Sequence, residues 1–206
     1  SAPSPAWAMS SRPDIVVVGA GAAGIMAAWR AASLGARVLL LEKTHRLGTK
    51  ILISGGGKCN IVHDGPMEDV LRAFRPNEAR FIRPACYRFP NTQVMELFTG
   101  KGLELVTRPD GRVFPKEGNA KDVVRILGDH LREAGVVVRL GAPVSGLEIL
   151  DGRMAGVRAL GGTVECDKVI VSVGGCSYPN SGTTGDGYPW MQEAGHTLVP
   201  VRAALA

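Results

Sequence analysis

Six residues near the amino terminus constrain this chain more than any other feature. Residues 19–24 read Gly-Ala-Gly-Ala-Ala-Gly, between a β-branched run at 14–19 and a stretch of small and apolar residues at 22–34. The run is typical of a buried parallel strand, and the stretch is typical of a packed helix that ends at Gly35. A second apolar run at 37–42 predicts the next strand. Together they predict a right-handed strand–helix–strand unit with a glycine turn after the first strand.

In this setting the three glycines predict a binding site for the diphosphate of a dinucleotide. Gly19 permits the tight turn, Gly21 lets the backbone approach the diphosphate, and Gly24 lets the helix pack closely on the strand. Free amide groups and the helix dipole attract the phosphates. Glu42, at the end of the second strand, is placed to accept hydrogen bonds from a ribose diol and to repel a 2′-phosphate. These residues favour FAD or NAD over NADP and leave FAD and NAD as alternatives.

The rest of the pattern predicts an α/β fold, with a Rossmann-type parallel sheet and a small antiparallel β-meander. Residues 44–63 are rich in glycine and are predicted as a structured loop. Asp151-Gly152 is a strong hairpin signal inside the meander, which spans about 144–166. Helices are predicted at 68–75, 78–83, 92–101, 120–134 and 188–194, and further strands at 103–107, 112–114, 136–140, 144–150, 153–160, 163–166 and 169–173. The strands at 103–107 and 112–114 flank Pro109-Asp110-Gly111, a turn signal that predicts a hairpin.

The net charge of +5 does not come from a dense basic run. The predicted helices at 68–83 and their surroundings carry scattered arginines, which favour a solvated surface over a nucleic-acid footprint. An anionic diphosphate is a sufficient partner for this charge. No nucleic-acid partner is therefore expected. The arginines in question are Arg72, Arg75, Arg80, Arg83 and Arg88.

The four cysteines do not form a Cys-x-x-Cys pair, and no histidine stands at zinc-ligand spacing to them. In a chain of 206 residues this favours reduced thiols, a cytoplasmic location and no metal site over a disulfide framework. No apolar stretch reaches the length of a membrane span, so no membrane partner is expected.

Two longer motifs resemble those of a known family. Residues 50–60 read Lys-Ile-Leu-Ile-Ser-Gly-Gly-Gly-Lys-Cys-Asn, and residues 177–188 read Ser-Tyr-Pro-Asn-Ser-Gly-Thr-Thr-Gly-Asp-Gly-Tyr. In order and spacing they are similar to motifs of a bacterial family of NAD(P)/FAD-dependent oxidoreductases, which includes aminoacetone oxidase family enzymes and relatives of bile-acid reductases. The resemblance covers nearly all of 14–200. The family usually has arginine where Lys58 stands, so a planar fork is replaced by a point charge.

The resemblance implies FAD as the tightly held cofactor and hydride transfer at the flavin N5 atom. It also implies a small-molecule substrate, with NAD(P)H as a candidate reductant. Residues 13–200 are then an FAD-binding domain, and residues 201–206 are expected to begin a missing substrate domain. Residues 1–12 are rich in Pro, Ser and Ala and are predicted to be a disordered leader, with Met9 as a candidate start.

Several candidate residues have two interpretations each. Lys50 and Lys58 could neutralise the diphosphate or the charge of a reduced flavin, or they are surface lysines. Asn60 could contact the flavin or cap a turn. Cys59 is expected to be a packed, inert thiol rather than a redox centre, because it lacks a resolving partner.

Two further candidates lie near the carboxyl half. The backbone of Val144 is expected to meet the adenine edge, although an ordinary core valine predicts the same residue. Asp186 could contact ribityl hydroxyls, cap the following helix, or do both. The full set of candidate cofactor-binding residues is Gly19, Ala20, Gly21, Ala22, Ala23, Gly24, Glu42, Lys43, Lys50, Ser54, Gly55, Gly56, Lys58, Cys59, Asn60, Val144, Gly174, Gly175 and Asp186.

No acid or base for catalysis can be assigned, because the four histidines lie on separate segments. The main hypothesis is an FAD-dependent oxidoreductase in an incomplete chain. One alternative is a flavin-dependent RNA-modifying enzyme, which only the basic charge supports. The other is a non-catalytic nucleotide-binding remnant. The sequence does not define the oligomeric state.

Overall fold

The computed structural model describes residues 12–202. They divide into a first unit, which comprises the chain up to Thr49 and from Gly128 onward, and a second unit, Lys50–Leu127. The α-helices are α1 (Ala22–Ser33), α2 (Thr49–Ile53), α3 (Met67–Arg72), α4 (Pro76–Arg88), α5 (Asn91–Thr99), α6 (Ala120–Glu133) and α7 (Gly187–Glu193). The strands are β1 (Ile15–Val18), β2 (Val38–Glu42), β3 (Val62–His63), β4 (Leu105–Thr107), β5 (Arg112–Pro115), β6 (Val137–Leu140), β7 (Val144–Leu150), β8 (Arg153–Ala159), β9 (Gly162–Glu165) and β10 (Lys168–Val171).

A parallel sheet with strand order β10-β1-β2-β6 forms the centre of the first unit. β1 lies between β10 and β2, with Val17 paired to Ile170 on one side and to Leu40 on the other. Val17 and Leu40 are fully buried, as expected for the inner strands of a covered parallel sheet. The predicted α/β fold with a Rossmann-type sheet is therefore confirmed.

The predicted β-meander is also present in the first unit, as an antiparallel sheet with order β7-β8-β9. Its hairpin turn has Asp151 at φ 50° and Gly152 at φ 72°, the left-handed pair that a two-residue turn between twisted strands requires. Leu147 and Val157 of the meander pack with Val16 and Trp190 in one core, so the meander lies against the parallel sheet.

The second unit contains a small antiparallel sheet with order β3-β5-β4. The predicted hairpin is its β4–β5 pair, whereas β3 falls in the predicted loop 44–63. The segment predicted as a structured loop also contains α2 and a 3-10 turn at Ser54–Gly57, short elements that the sequence did not indicate. Asn91 holds β3 to α5, because its side-chain amide donates to the carbonyls of His63 and Gly65 at 2.9 Å each.

The two terminal segments for which the sequence made predictions lie mostly outside the described residues, which exclude 1–11 and 203–206. The leader at 1–12 and the start of a further domain at 201–206 therefore stay predictions, as does the assignment of 13–200 to one FAD-binding domain. Within residues 12–202, none of the helices is both long enough and apolar enough to cross a membrane.

Candidate functional site

The glycine turn between β1 and α1 is built by close packing. Gly19 has φ 97°, and a β-carbon there would lie 2.5 Å from the carbonyl oxygen of Ser172. A β-carbon at Gly24 would lie 1.8 Å from the Gly19 carbonyl oxygen. Glycine is thus required at both positions, since any side chain would collide with backbone.

Gly21 is different, because an added β-carbon would meet no atom within 4 Å. Gly21 is the N-cap of α1, no side chain caps this helix, and its first turn carries no acidic residue. The start of α1 therefore presents amide groups and a positive dipole beside an open space. This combination suits an anion that approaches the backbone closely. Ala20, Ala22 and Ala23 complete the turn, and Ala20 is buried.

Glu42 connects the glycine turn to the end of β2. One carboxylate oxygen accepts a hydrogen bond from the Ala20 amide at 2.7 Å, and the other accepts one from the Thr44 amide at 2.8 Å. The sequence did not predict these bonds, which fix the orientation of the carboxylate. Each oxygen can accept a further hydrogen bond, so the half-buried carboxylate stays able to bind a ribose diol.

Lys43 and Asp186 contact each other across 143 residues of sequence. The Lys43 ammonium donates to the Asp186 carboxylate at 2.6 Å and to the Thr184 hydroxyl at 2.8 Å. The Thr184 hydroxyl in turn donates to Asp186 at 2.6 Å. Burial raises the pKa of Asp186, but the bonds from Lys43 and Thr184 outweigh it, and the net pKa is lowered.

Asp186 therefore does not cap the following helix through its side chain, which was one of the two roles considered from the sequence. It stands before α7 but has helical backbone angles and makes no capping hydrogen bond. Its carboxylate instead holds the segment after β10 against the residue that follows Glu42. A lysine and a carboxylate are thereby placed beside the end of β2.

Gly174 and Gly175 lie where the chain turns back after β10. Gly174 has φ 75°, and its β-carbon would lie 2.7 Å from the Thr183 side chain. The Gly185 amide donates to the Gly175 carbonyl at 3.0 Å, which closes the segment into a compact loop. Glycine is favoured at Gly174 by its positive φ and by the nearby Thr183 side chain, whatever it contacts in addition. A β-carbon at Gly175 would lie 3.2 Å from the Tyr188 hydroxyl.

Val144 opens β7, close to the end of β2. The amides of Gly141 and Ala142 donate to the carbonyls of Thr44 and Glu42 at 2.9 Å each, so the chain passes beside Glu42 before it reaches Val144. The Val144 side chain packs on the core, as either interpretation predicts. An open cavity of about 610 Å³ lies beside it, lined by Gly141, Pro143, Ser145, Arg158, Gly161 and Thr163, among others.

The second glycine loop, in the second unit, depends on backbone conformation. Gly55, Gly56 and Gly57 all have positive φ, between 57° and 85°, and so does Cys59 at 60°. The Cys59 amide donates to the Ser54 carbonyl at 3.0 Å, which closes the loop. Lys50, Lys58 and Asn60 are exposed around it.

Cys59 itself is buried, at 4% exposure. Burial raises the pKa of its thiol, and a hydrogen bond with Ser54 offsets only part of that effect. A neutral, buried thiol is a poor nucleophile, which agrees with a packed residue rather than a redox centre. All four cysteines lie in the described part of the chain and are free.

Arg108 was not among the sequence candidates. Its guanidinium lies 3.9 Å from the centroid of the Phe114 ring, and a β-carbon at Gly55 would lie 3.1 Å from that ring. The hairpin thus places a cation on the aromatic ring that supports the glycine loop. The only sequence signal was the hairpin itself, which brings residues before and after Pro109-Asp110-Gly111 together. Among residues 12–202, no cluster of His, Cys, Asp and Glu could hold a metal ion.

Residues 13–203 match the HI0933-like protein Rossmann domain family, and the chain belongs to that family of FAD-binding Rossmann domains. The predicted family resemblance is confirmed. The chain is similar to the ribosomal RNA dihydrouridine synthase of Haemophilus influenzae, with 30% identity over 96% of this chain and 49% of that protein. It is similar to the 3-dehydro-bile acid delta(4,6)-reductase of Clostridium scindens, with 32% identity over 93% of this chain and 46% of the relative.

The chain thus spans about half the length of these curated relatives. Among solved structures, it is similar in fold to the 3-ketosteroid-delta4-(5alpha)-dehydrogenase of Rhodococcus jostii, with a TM-score of 0.60. That match has 19% identity and covers 85% of this chain and 49% of the other.

Proposed function

We propose that this chain binds the ADP half of FAD on its first unit and is the FAD-binding portion of a flavin-dependent oxidoreductase. The observation that carries the proposal is the bond from the Ala20 amide to Glu42, which joins a glycine turn suited to a diphosphate to a carboxylate suited to a ribose. In the full protein the flavin would supply the chemistry by accepting and releasing a hydride.

The residues present fit this cofactor. The space beside Gly21 leaves room for a diphosphate, and the uncapped start of α1 offers donors to it. Glu42 would hold the ribose, and the Lys43 ammonium would add a positive charge nearby. The cavity beside Val144 has a volume suited to the adenosine portion of a ligand.

The candidates in the second unit are proposed for the flavin half. Lys50, Lys58 and Asn60 surround the loop at Ser54–Gly57, where cations and an amide could stabilise a reduced flavin. Gly55 and Gly56 would allow close approach of the backbone, while Cys59 would support the loop from inside. No residue of the chain is proposed as a catalytic acid or base.

For the whole protein we propose a small-molecule substrate, with NAD(P)H as the reductant and a cytoplasmic location, which the four free cysteines favour. A relative that is a bile-acid reductase supports this substrate class. A second candidate is an enzyme that acts on RNA. It is favoured by a relative named for ribosomal RNA and by the basic charge of the chain.

Purification tests the cofactor assignment. The chain, expressed in a flavin-rich host or reconstituted with FAD, should have a flavin absorbance that bleaches on reduction. Release of the bound cofactor by denaturation, followed by chromatography, should yield FAD. Recovery of FMN, or of NAD alone, would contradict the proposal.

A further inference from the structure

Helix α4 in the second unit exposes residues that form a separate surface. Its partly buried side chains are Ala79, Ile82 and Cys86, which repeat at helical spacing and mark the face that packs on the unit. None of its 13 residues is fully buried. One long face of this helix is therefore left to solvent.

The exposed face has a distinct chemistry. At about 100° per residue, six exposed side chains fall within one third of the helix circumference, one of which is Asn77 in the first turn. We call the other five the α4 stripe: Arg80, Phe81, Pro84, Tyr87 and Arg88. Phe81 is 86% exposed and Tyr87 is 52% exposed, values that are high for aromatic side chains.

The charge of the stripe is entirely positive. Arg80 and Arg88 have no ion-pair partner among the described residues, whereas Arg72, Arg75 and Arg83 are each paired with a carboxylate. The second unit has 13 basic and nine acidic residues and so carries +4 of the chain's net charge of +5. A polyanion therefore fits this face better than a neutral or basic partner.

Tyr87 is held in place before any partner arrives. Its hydroxyl donates to Glu68, which also accepts from both terminal nitrogens of Arg83. Hydrogen bonds from Arg83 and from Tyr87 lower the pKa of Glu68 to about 2, so the carboxylate stays charged at neutral pH. The Arg83 guanidinium lies 5.9 Å from the Tyr87 ring centroid. A fixed ring loses little freedom on binding.

We propose that the α4 stripe is a contact surface for single-stranded RNA, with Arg80 and Arg88 on the backbone phosphates and Phe81 and Tyr87 stacking on unpaired bases. Cations that follow a sugar-phosphate backbone, interleaved with exposed aromatic rings, are the usual components of such surfaces. The surface would supply the RNA contact that the second candidate function needs. It does not depend on flavin binding, so either property can fail alone.

The test measures binding of the whole chain to a labelled single-stranded RNA of about 20 nucleotides by fluorescence anisotropy over a series of salt concentrations. The R80Q/R88Q variant should bind less tightly and lower the slope of log K against log salt by about 1.4, because two phosphate contacts are lost. The matched control is R139Q/R153Q, which removes the same charge from exposed positions of the first unit and should leave the slope within error of the unchanged chain.

A second pair of variants separates base stacking from nonspecific hydrophobic association. F81A should weaken RNA binding by about fivefold or more, and F81L should weaken it nearly as much, since leucine keeps the apolar surface but cannot stack. Thermal unfolding and an FAD titration of each variant should match the unchanged chain.

Three results would overturn the proposal. One is the absence of salt-dependent RNA binding by the unchanged chain. Another is an equal loss of RNA binding in R139Q/R153Q, which would mean that the total charge of the chain controls binding and the position of the arginines does not. The third is full RNA binding by F81L together with self-association that F81A abolishes, which would make the stripe a protein interface.

Discussion

The two glycine-rich segments of this molecule need glycine for different reasons. In the turn of the first unit, Gly19 and Gly24 are fixed by backbone atoms within 2.5 Å and 1.8 Å of an added β-carbon. In the loop of the second unit, Gly56 has φ 66° but no atom within 4 Å of that position. Gly21 has neither constraint, since its φ is −76° and its surroundings are open. Gly21 also caps α1 at the open end of the turn, so a ligand explains this glycine better than packing does.

The largest effect should come from Gly24→Ala. The new methyl group would overlap the Gly19 carbonyl, and both segments are part of the buried turn. We expect the free energy of unfolding to fall by about 3 kcal/mol. Urea denaturation measures this value, and a loss below about 0.5 kcal/mol would show that the turn can open without cost.

Gly21→Val should separate binding from folding. Its side chain would occupy the space proposed for the diphosphate, so FAD affinity should fall by about 30-fold or more, equivalent to about 2 kcal/mol. The free energy of unfolding should change by less than about 1 kcal/mol, because nothing in the chain is displaced. Ala85→Val, an exposed position on α4, is the control for an added valine. Unchanged FAD affinity in Gly21→Val would remove the proposed role of this glycine.

Gly56→Ala should have a smaller effect on the free energy of unfolding, measured without FAD. Alanine in the left-handed region costs about 1 kcal/mol, and here no collision adds to it. Gly162→Ala is the matched control, since Gly162 also has open surroundings but no positive φ, and its stability should stay the same or rise slightly. Equal stability of the two variants would mean that the loop does not hold its left-handed conformation in solution.

The smallest effect concerns the Lys43–Asp186 pair. Asp186→Asn should lower the free energy of unfolding by about 0.5 kcal/mol near neutral pH, because both side chains are about one third exposed and the attraction is screened. A lowered pKa in the folded state means that the contribution is present above the ordinary carboxyl pKa of 3.8 and is lost as the pH falls through the folded-state value. The difference in the free energy of unfolding between the unchanged chain and Asp186→Asn should therefore vanish in acid.

A double-mutant cycle with Lys43→Met checks this assignment. If the two side chains act through each other, the double variant should be no less stable than either single variant. Additive losses, or a difference that persists in acid, would contradict the pairing.

Local signals explain which parts of the fold could be predicted from the sequence. The β1–α1–β2 unit has buried apolar runs on both sides of a glycine turn, and the meander has the Asp151-Gly152 turn. Both depend on neighbouring residues. In contrast, β3 has only two residues, too few for an alternating pattern, and it is held by Asn91 from another segment.

The helix predicted at 78–83 was too short. In the structure α4 begins at Pro76 and runs on to Arg88, with Pro84 inside it. Glu68 binds both Arg83 and Tyr87, which lie on successive turns, and so stabilises the helix across the proline. Such a contact from α3 cannot be inferred from the periodicity of α4.

The candidate site likewise contains features that neighbouring residues determine and features that they do not. The glycine turn and Glu42 are close in sequence to the elements that position them, so their placement could be predicted. The contact of Lys43 with Asp186 depends on how distant segments fold together, whereas the contact of Arg108 with Phe114 depends on the geometry of the β4–β5 hairpin. The sequence shows that these residues are charged or aromatic, but it does not show which of them are in contact.

Calorimetric titration of the unchanged chain with FAD, ADP and FMN tests the central claim most directly, since these ligands divide the cofactor into its two halves. If the first unit holds the ADP half through the glycine turn and Glu42, FAD and ADP should both bind, and FMN should bind far more weakly than either. Binding of FMN as tight as that of FAD, with no detectable binding of ADP, would contradict the account.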